Sequence, residues 1–452
     1  MRYLPHTEDD LRSMLERIGV ESVDALFDSI PKHLRLDRNL NIPEGLDEPG
    51  LMRHLSSLAA ANRGAHETRS FTGAGLYFHY SPAAINELLL RPEFYTAYTP
   101  YQPEVSQGTL QAMYEYQTMV CRLLEVEVSN ASMYDGSTAF TEAILMARRV
   151  ARGKKPRVVV TGACHPEYIE VLRTYLLDHE ERLVQVPPGP DGRVDTAATA
   201  AALDGTTAAL AVQSPNFFGI VEDVAALADV AHGAGALLAV SFTEATAFGL
   251  LEPAGAQGAD IVAGEGQALG LPVSMGGPLL GILGARKKFV RAMPGRLVGK
   301  TTDRRGETGY VVTLATREQH IRRERATSNI CTNQGLCALG AAIYMTLAGP
   351  AGLATVAKAS HARAIALRDR LVTLPGVEEV FPGAPFYNEF VLRLPGTAGP
   401  ILDALAAQDI AGGVPLGRWD ADRTDQILVA CTETTLPEDI DAYRDALERV
   451  LA

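Results

Sequence analysis

Ala236-Leu237-Leu238-Ala239-Val240-Ser241 and, one loop later, Asp260-Ile261-Val262-Ala263-Gly264-Glu265-Gly266-Gln267 are the stretches whose reading decides the fold. Each is a short apolar run that ends on small or polar residues, without the alternation of a strand that shows one face to water. The same texture returns at Arg157-Val158-Val159-Val160-Thr161, Leu183-Val184-Gln185-Val186, Ala208 to Val212 and Leu279 to Ala285. Helical stretches lie between these runs at 166–178 and 222–234. This alternation predicts an α/β fold with a mostly parallel sheet and helices on both faces, over residues 61–330.

Upstream, Thr7-Glu8-Asp9-Asp10 has the form of a capping box, and Leu11, Met14, Leu15 and Ile18 then repeat at helical spacing. Residues 1–60 therefore read as a helical arm. A further helix is expected at 109–125, with Leu110, Met113, Val120, Leu123 and Leu124 on one face. Downstream, 331–349 reads as a linking helix and 350–452 as a small α+β domain. That domain should hold a long Ala/Arg helix, strands around 377–381 and 388–393, and helices near 399–409 and 436–450.

At 452 residues, 47% apolar and 21% charged, the chain reads as globular with a large core. Its 41 basic and 54 acidic side chains leave a formal charge of -13, which repels phosphate backbones and anionic lipid surfaces. No nucleic-acid partner is expected. No apolar run approaches the roughly 20 residues that cross a bilayer, so no membrane association is expected either. Met1 to Asp10 lacks a basic-then-apolar signal pattern, which makes the cytoplasm the expected location. Cys121, Cys164, Cys331, Cys337 and Cys431 are odd in number and form no Cys-x-x-Cys pair, which disfavours a disulfide framework or a zinc cluster. His66-Glu67 is followed by Thr68-Arg69-Ser70, so the metalloprotease spacing fails and no metal is expected.

Several segments have residue types that can do chemistry. Gly136-Ser137-Thr138 opens a helix, where free N–H groups and two hydroxyls could cradle a phosphate; the plainer reading is N-capping by Ser137. His165 and Tyr168 follow a strand and turn, where a ring could stack on a cofactor or simply be hydrogen-bonded in place. Phe94 to Gly108 carries Tyr95, Tyr98 and Tyr101 among Pro100 and Pro103, which rules out a regular helix and suits a binding surface. Arg317, Arg322, Arg323 and Arg325 precede Thr327-Ser328-Asn329; they read as a solvated face from which one arginine could turn inward.

Five stretches carry a resemblance. Ser70-Phe71-Thr72-Gly73-Ala74-Gly75, Tyr95-Thr96-Ala97-Tyr98-Thr99-Pro100-Tyr101-Gln102-Pro103-Glu104, Gly264-Glu265-Gly266-Gln267, Arg305-Gly306-Glu307-Thr308-Gly309-Tyr310 and Ala326-Thr327-Ser328-Asn329-Ile330-Cys331-Thr332-Asn333 stand in this order over most of the chain. Together they resemble the glycine decarboxylase, or P-protein, of the glycine cleavage system, and within it the first subunit of the two-subunit bacterial form.

The resemblance implies the fold of type I pyridoxal phosphate enzymes. It also implies a reaction in which glycine loses carbon dioxide and passes its aminomethyl carbon to the lipoyl group of H-protein. The family's catalytic subunit has a His-Lys pair after the strand matching Asp260-Ile261-Val262, whereas this chain reads Glu265-Gly266-Gln267-Ala268 and has no lysine between Lys155 and Lys287. Where an aspartate would hold the pyridine nitrogen protonated, it has Ser241. Pyridoxal phosphate is then expected on a homologous second subunit, in an assembly with two copies of each. Gly136, Ser137, Thr138 and His165 become vestigial cofactor contacts. Tyr95, Tyr98, Tyr101, Gln102, Glu104, Thr327, Ser328 and Asn329 become candidates for reaching the partner's active site or forming the interface. Two other readings stay open: a self-sufficient enzyme using Lys287, Lys288 or Lys300, and a purely structural or regulatory partner.

Overall fold

The computed structural model describes residues 5–64, 67–177 and 182–452. These fall into two compact units, Met1–Arg63 and Gly64–Ala452. In the first, Thr7 Oγ1 accepts the Asp10 N–H at 3.2 Å and Asp10 Oδ2 accepts the Thr7 N–H at 2.8 Å, the two halves of a capping box that start the helix Glu8–Ile18. Asp47 caps a second helix, Glu48–Ala59, through the Gly50 N–H. No residue of either helix is buried; Leu11, Met14 and Ile18, and Leu51, Met52 and Leu55, lie exposed.

The second unit is built on a seven-stranded sheet. Its spatial order is Val128–Ser129, Gly281–Ala285, Ile261–Glu265, Leu237–Phe242, Thr207–Gln213, Arg157–Thr161 and Leu183–Val186. The last five are mutually parallel, and Gly281–Ala285 runs antiparallel to both of its neighbours. Alternate side chains sort by size between the faces. Leu210, Val212, Leu238, Val240 and Val262 share a core with the helices Gln107–Leu124, Val224–Gly233 and the first part of Gly335–Leu371. Ala209, Ala239 and Ala263 face the other way, where their small side chains admit the helix Gly136–Val150 through Ala139, Ala143 and Ala147.

The small domain carries a four-stranded antiparallel sheet in the order Glu378–Glu379, Glu389–Arg393, Gln426–Ala430, Val414–Pro415. Gln426–Ala430, buried throughout, adds a central strand to those expected near 377–381 and 388–393. Arg69–Ser70 pairs with Ile410–Ala411, so a segment assigned by sequence to the large domain lies on the small one. The linking helix is kinked at 349, where it meets the long Ala/Arg helix. Together they run Gly335–Leu371 with a break at Gly349, where φ is 60° and Pro350 removes a backbone donor. Contrary to the expectation of no such run, this helix is long and apolar enough to cross a membrane by composition; Ala338, Ala341, Ala342 and Tyr344 are instead buried inside the fold.

The parallel strands end together, at Gln213, Phe242 and Glu265, and the small domain meets that edge through Gly219. Gly219 sits at φ +83°, its carbonyl accepts the Tyr387 N–H at 3.2 Å, and a Cβ there would collide with the Glu389 backbone. Gly219→Ala should destabilise the chain by about 2–4 kcal/mol, from left-handed strain plus overpacking, read as a lower urea midpoint.

Candidate functional site

Ligands of open α/β sheets collect at the carboxyl ends of the strands. Here that edge borders a cavity of about 700 Å³ whose lining includes Phe71, Tyr77, His79, Gln267, Leu271 and Thr434. Gln267 is buried, and both ends of its amide are engaged: Oε1 accepts the Tyr77 N–H at 3.0 Å and Nε2 donates to the Leu271 carbonyl at 2.7 Å. Ala268 beside it is buried too. Lys287 and Lys288 lie in a short 3-10 helix beyond Gly281–Ala285, and Lys300 is exposed on the ribbon Leu297–Thr302, so no lysine lines this cavity.

The start of Gly136–Val150 departs from the expected arrangement. Its N-cap is Asp135, not Ser137: Asp135 Oδ1 accepts the Thr138 N–H at 2.8 Å and the Ser137 hydroxyl at 2.6 Å. The Gly136 N–H donates to Glu265 Oε2 at 2.8 Å. Both acceptors at this helix end are thus the chain's own carboxylates. A Cβ at Gly136 would collide with the Tyr168 hydroxyl.

His165 caps the helix Pro166–Tyr175 through Nδ1, which accepts the Glu167 N–H at 3.2 Å; that assigns the proton to Nε2, which donates to the Ala74 carbonyl at 2.9 Å. Burial holds its pKa below the ordinary histidine range, so the ring is neutral. Its stacking partner is Tyr168, with ring centroids 4.8 Å apart. Ser241, at the end of Leu237–Phe242, is buried with its hydroxyl unpaired among the described residues.

A second polar group closes the cavity on the small-domain side. Tyr77 donates its hydroxyl to Glu389 Oε2 at 3.0 Å, and Glu389 Oε1 accepts the Ala74 N–H at 2.6 Å. His79 lies between Glu244, at 2.8 Å, and Glu433, at 2.6 Å. Burial would lower its pKa, but the two carboxylates prevail and raise it to about 10, so it is an imidazolium at neutral pH.

The tyrosine loop lies elsewhere, on the surface: Tyr95, Tyr98 and Tyr101 are 61%, 80% and 61% exposed, and Gln102 and Glu104 are exposed beside them. The ring of Tyr101 lies 5.6 Å from the guanidinium of Arg296, which is buried. Arg296 donates to Thr332 Oγ1 and the Cys331 carbonyl, each at 3.0 Å, and so joins the tyrosine loop to the segment after Asn329. Ser328 donates to buried Glu142 at 2.7 Å, and exposed Asn329 meets Tyr175 at 3.4 Å. Thr327, half-buried, donates its N–H to the Arg317 carbonyl. Arg317 is the inward-turned arginine, bonded to the carbonyls of Met293, Gly295 and Leu314. The structure thus forms two groups: the strand-end residues Gly136, Ser137, Thr138, His165 and Gln267, of which Gln267 lines the cavity, and an outer face built from the tyrosine loop and Thr327-Ser328-Asn329.

A family model described as glycine cleavage system P-protein matches residues 1–447. The chain belongs to the glycine cleavage system P-protein family. Two relatives, from Azorhizobium caulinodans and Anaeromyxobacter dehalogenans, are each 50% identical, cover 100% and 99% of this chain and match over their whole length. Both are named probable glycine dehydrogenase (decarboxylating) subunit 1. A crystal structure of glycine decarboxylase (P-protein) in inhibitor-bound form superposes with a TM-score of 0.89 at 44% identity, with 100% of each chain covered. Glutamate decarboxylase of Lactobacillus brevis, at TM-score 0.69, 14% identity and 93% and 96% coverage, shares the fold alone. The P-protein chain therefore has the type I pyridoxal phosphate enzyme fold expected from its motifs.

Sequence reasoning missed Glu265, Asp135, Glu389 and Arg296. Glu265 stood inside a quoted motif, but nothing in the one-dimensional string aims its side chain at Gly136. Burial pushes Glu222, Glu265 and Glu389 up to about 7, against hydrogen bonds that favour the ionised form. A carboxyl raised in the folded state holds its proton between about 4.5 and 7, where the unfolded chain has lost it, so its contribution is full below that window and lost as pH rises through it. Glu389→Gln mimics the protonated form. Its urea midpoint relative to the unsubstituted chain should rise between pH 5 and pH 8.

Proposed function

We propose that this chain is the subunit of glycine decarboxylase that does not anchor the cofactor, and that a homologous second subunit carries the lysine and pyridoxal phosphate. The observation that carries this reading is Gln267, tied by both ends of its amide where the amine would stand. Pyridoxal phosphate would supply a carbonyl carbon that condenses with amines and a ring that accepts electrons, and it needs a lysine to anchor it. The residues here do not fit it. The helix end that would face its phosphate is occupied by two carboxylates, and Ser241 stands where a carboxylate would face the ring nitrogen.

In this reading the assembly decarboxylates glycine and hands the aminomethyl carbon to a lipoylated H-protein. This chain's share is to build the partner's site wall. The exposed tyrosines, of which Tyr101 rests on Arg296, together with Thr327, Ser328 and Asn329, form the face offered to the partner. The exposed apolar residues of Glu8–Ile18 and Glu48–Ala59 favour an obligate heteromer over an independent enzyme. The absence of lysine from the cavity disfavours the self-sufficient alternative.

Borohydride reduction in the presence of pyridoxal phosphate, followed by intact-mass measurement of both subunits, tests the assignment. The expected adduct falls on the second subunit alone, with glycine-dependent carbon dioxide exchange only in the mixture; a stoichiometric adduct on this chain would refute it. Tyr98→Phe or Tyr101→Phe should lower turnover of the reconstituted complex by roughly tenfold, the loss of one transition-state hydrogen bond. Unchanged turnover in both variants removes the active-site role of the loop.

A further inference from the structure

One side chain gathers N–H groups from three separate elements. Glu265 Oε2 accepts from Gly136, the first residue of a 15-residue helix, at 2.8 Å, and Oε1 accepts from Gln267 at 3.0 Å and Leu280 at 2.9 Å. Glu265 is 1% exposed and has no cationic partner among the described residues. A buried carboxylate without a cation is costly unless convergent donors hold it, and those donors are the same kind of groups that bind phosphate at helix ends. Ordinary capping does not account for it, because Asp135 already caps this helix from the preceding residue. The space over Gly136 is filled as well: a Cβ there would stand 2.9 Å from the Glu265 Cβ and collide with the Tyr168 hydroxyl, and Tyr168 itself stacks on His165.

We infer that the Glu265 carboxyl is an internal acceptor that takes the place of a bound phosphate and lets this subunit keep its fold with no cofactor of its own. The inference rests on the reading that this chain anchors no cofactor and extends it: the site is satisfied from within rather than merely lost. It gives Glu265 a structural task that binding performs in a cofactor-loaded chain, and it makes the helix end indifferent to anions in solution.

Hydrogen-exchange mass spectrometry on the complex of the full chain with its partner subunit tests it, because the peptides holding Gly136, Gln267 and Leu280 are read for this chain alone. The unsubstituted chain should show the same exchange in inorganic phosphate, formate or chloride at matched ionic strength. Glu265→Ala should exchange about tenfold faster at the three amides, and formate or phosphate should slow it again in a saturable way that chloride does not. Glu265→Gln keeps the volume and one carbonyl oxygen but turns an NH₂ toward the Gly136 N–H. It should lose protection at Gly136 only, and no anion should restore it. Unchanged exchange in either variant, an anion response no different from chloride in the Ala variant, or anion rescue of the Gln variant would each overturn the inference. Should Glu265→Ala fail to assemble, the Gln pattern alone decides. The borohydride result is independent: an adduct on this chain would sink the cofactor reading, whereas these amides report only on what occupies the helix end.

Discussion

The carboxylate of Glu265 is the point on which the strand-end edge depends. It holds the start of Gly136–Val150, the turn leading to Gln267 and the approach to Gly281–Ala285 together, and each of those segments positions something else. Gln267 in turn fixes Tyr77, and Tyr77 reaches Glu389 on the small domain. A chain of buried polar contacts therefore runs from the helix side of the sheet, through its C-terminal edge, to the second sheet. Each buried donor along it has an acceptor, which is the condition under which such networks rigidify a fold rather than weaken it.

This arrangement explains how a chain can retain the architecture of a cofactor enzyme without the residues that hold the cofactor. The sheet, the Ala-lined face and the covering helices are set by apolar packing and ask nothing of the site. What the site would have contributed is satisfaction of amides at a helix end and filling of a volume. Carboxylates and Tyr168 supply both. The outer face is organised by Arg296 and by Glu142, the latter on the same helix Gly136–Val150 whose start Glu265 holds.

How much was legible in the sequence follows the range of each interaction. Unbroken runs such as Leu237–Phe242 and Ile261–Glu265 state their burial locally, and the capping box at Thr7 needs only four residues, so strands, helices and the arm could be read in order. Gln426–Ala430 escaped because one short apolar run between turns is indistinguishable from packed coil until Glu389–Arg393 lies beside it. The cap at Asp135 was misplaced by two residues, since Ser137 and Asp135 both carry capping side chains and only backbone angles choose between them. The missing lysine was visible as a gap in the string. The contact between Glu265 and Gly136, 129 positions apart, was not, because side-chain direction at such separation exists only in the folded chain.

The apolar side chains left uncovered on Glu8–Ile18 and Glu48–Ala59 have a consequence for the cell's accounting of this subunit. A surface that is stable only when covered ties folding to mass action: the fraction of chains safely folded rises with the concentration of whatever covers the arm, by the logarithm of that concentration over its dissociation constant. A copy without its complement would keep these apolar helices in water, the condition that favours aggregation and proteolysis.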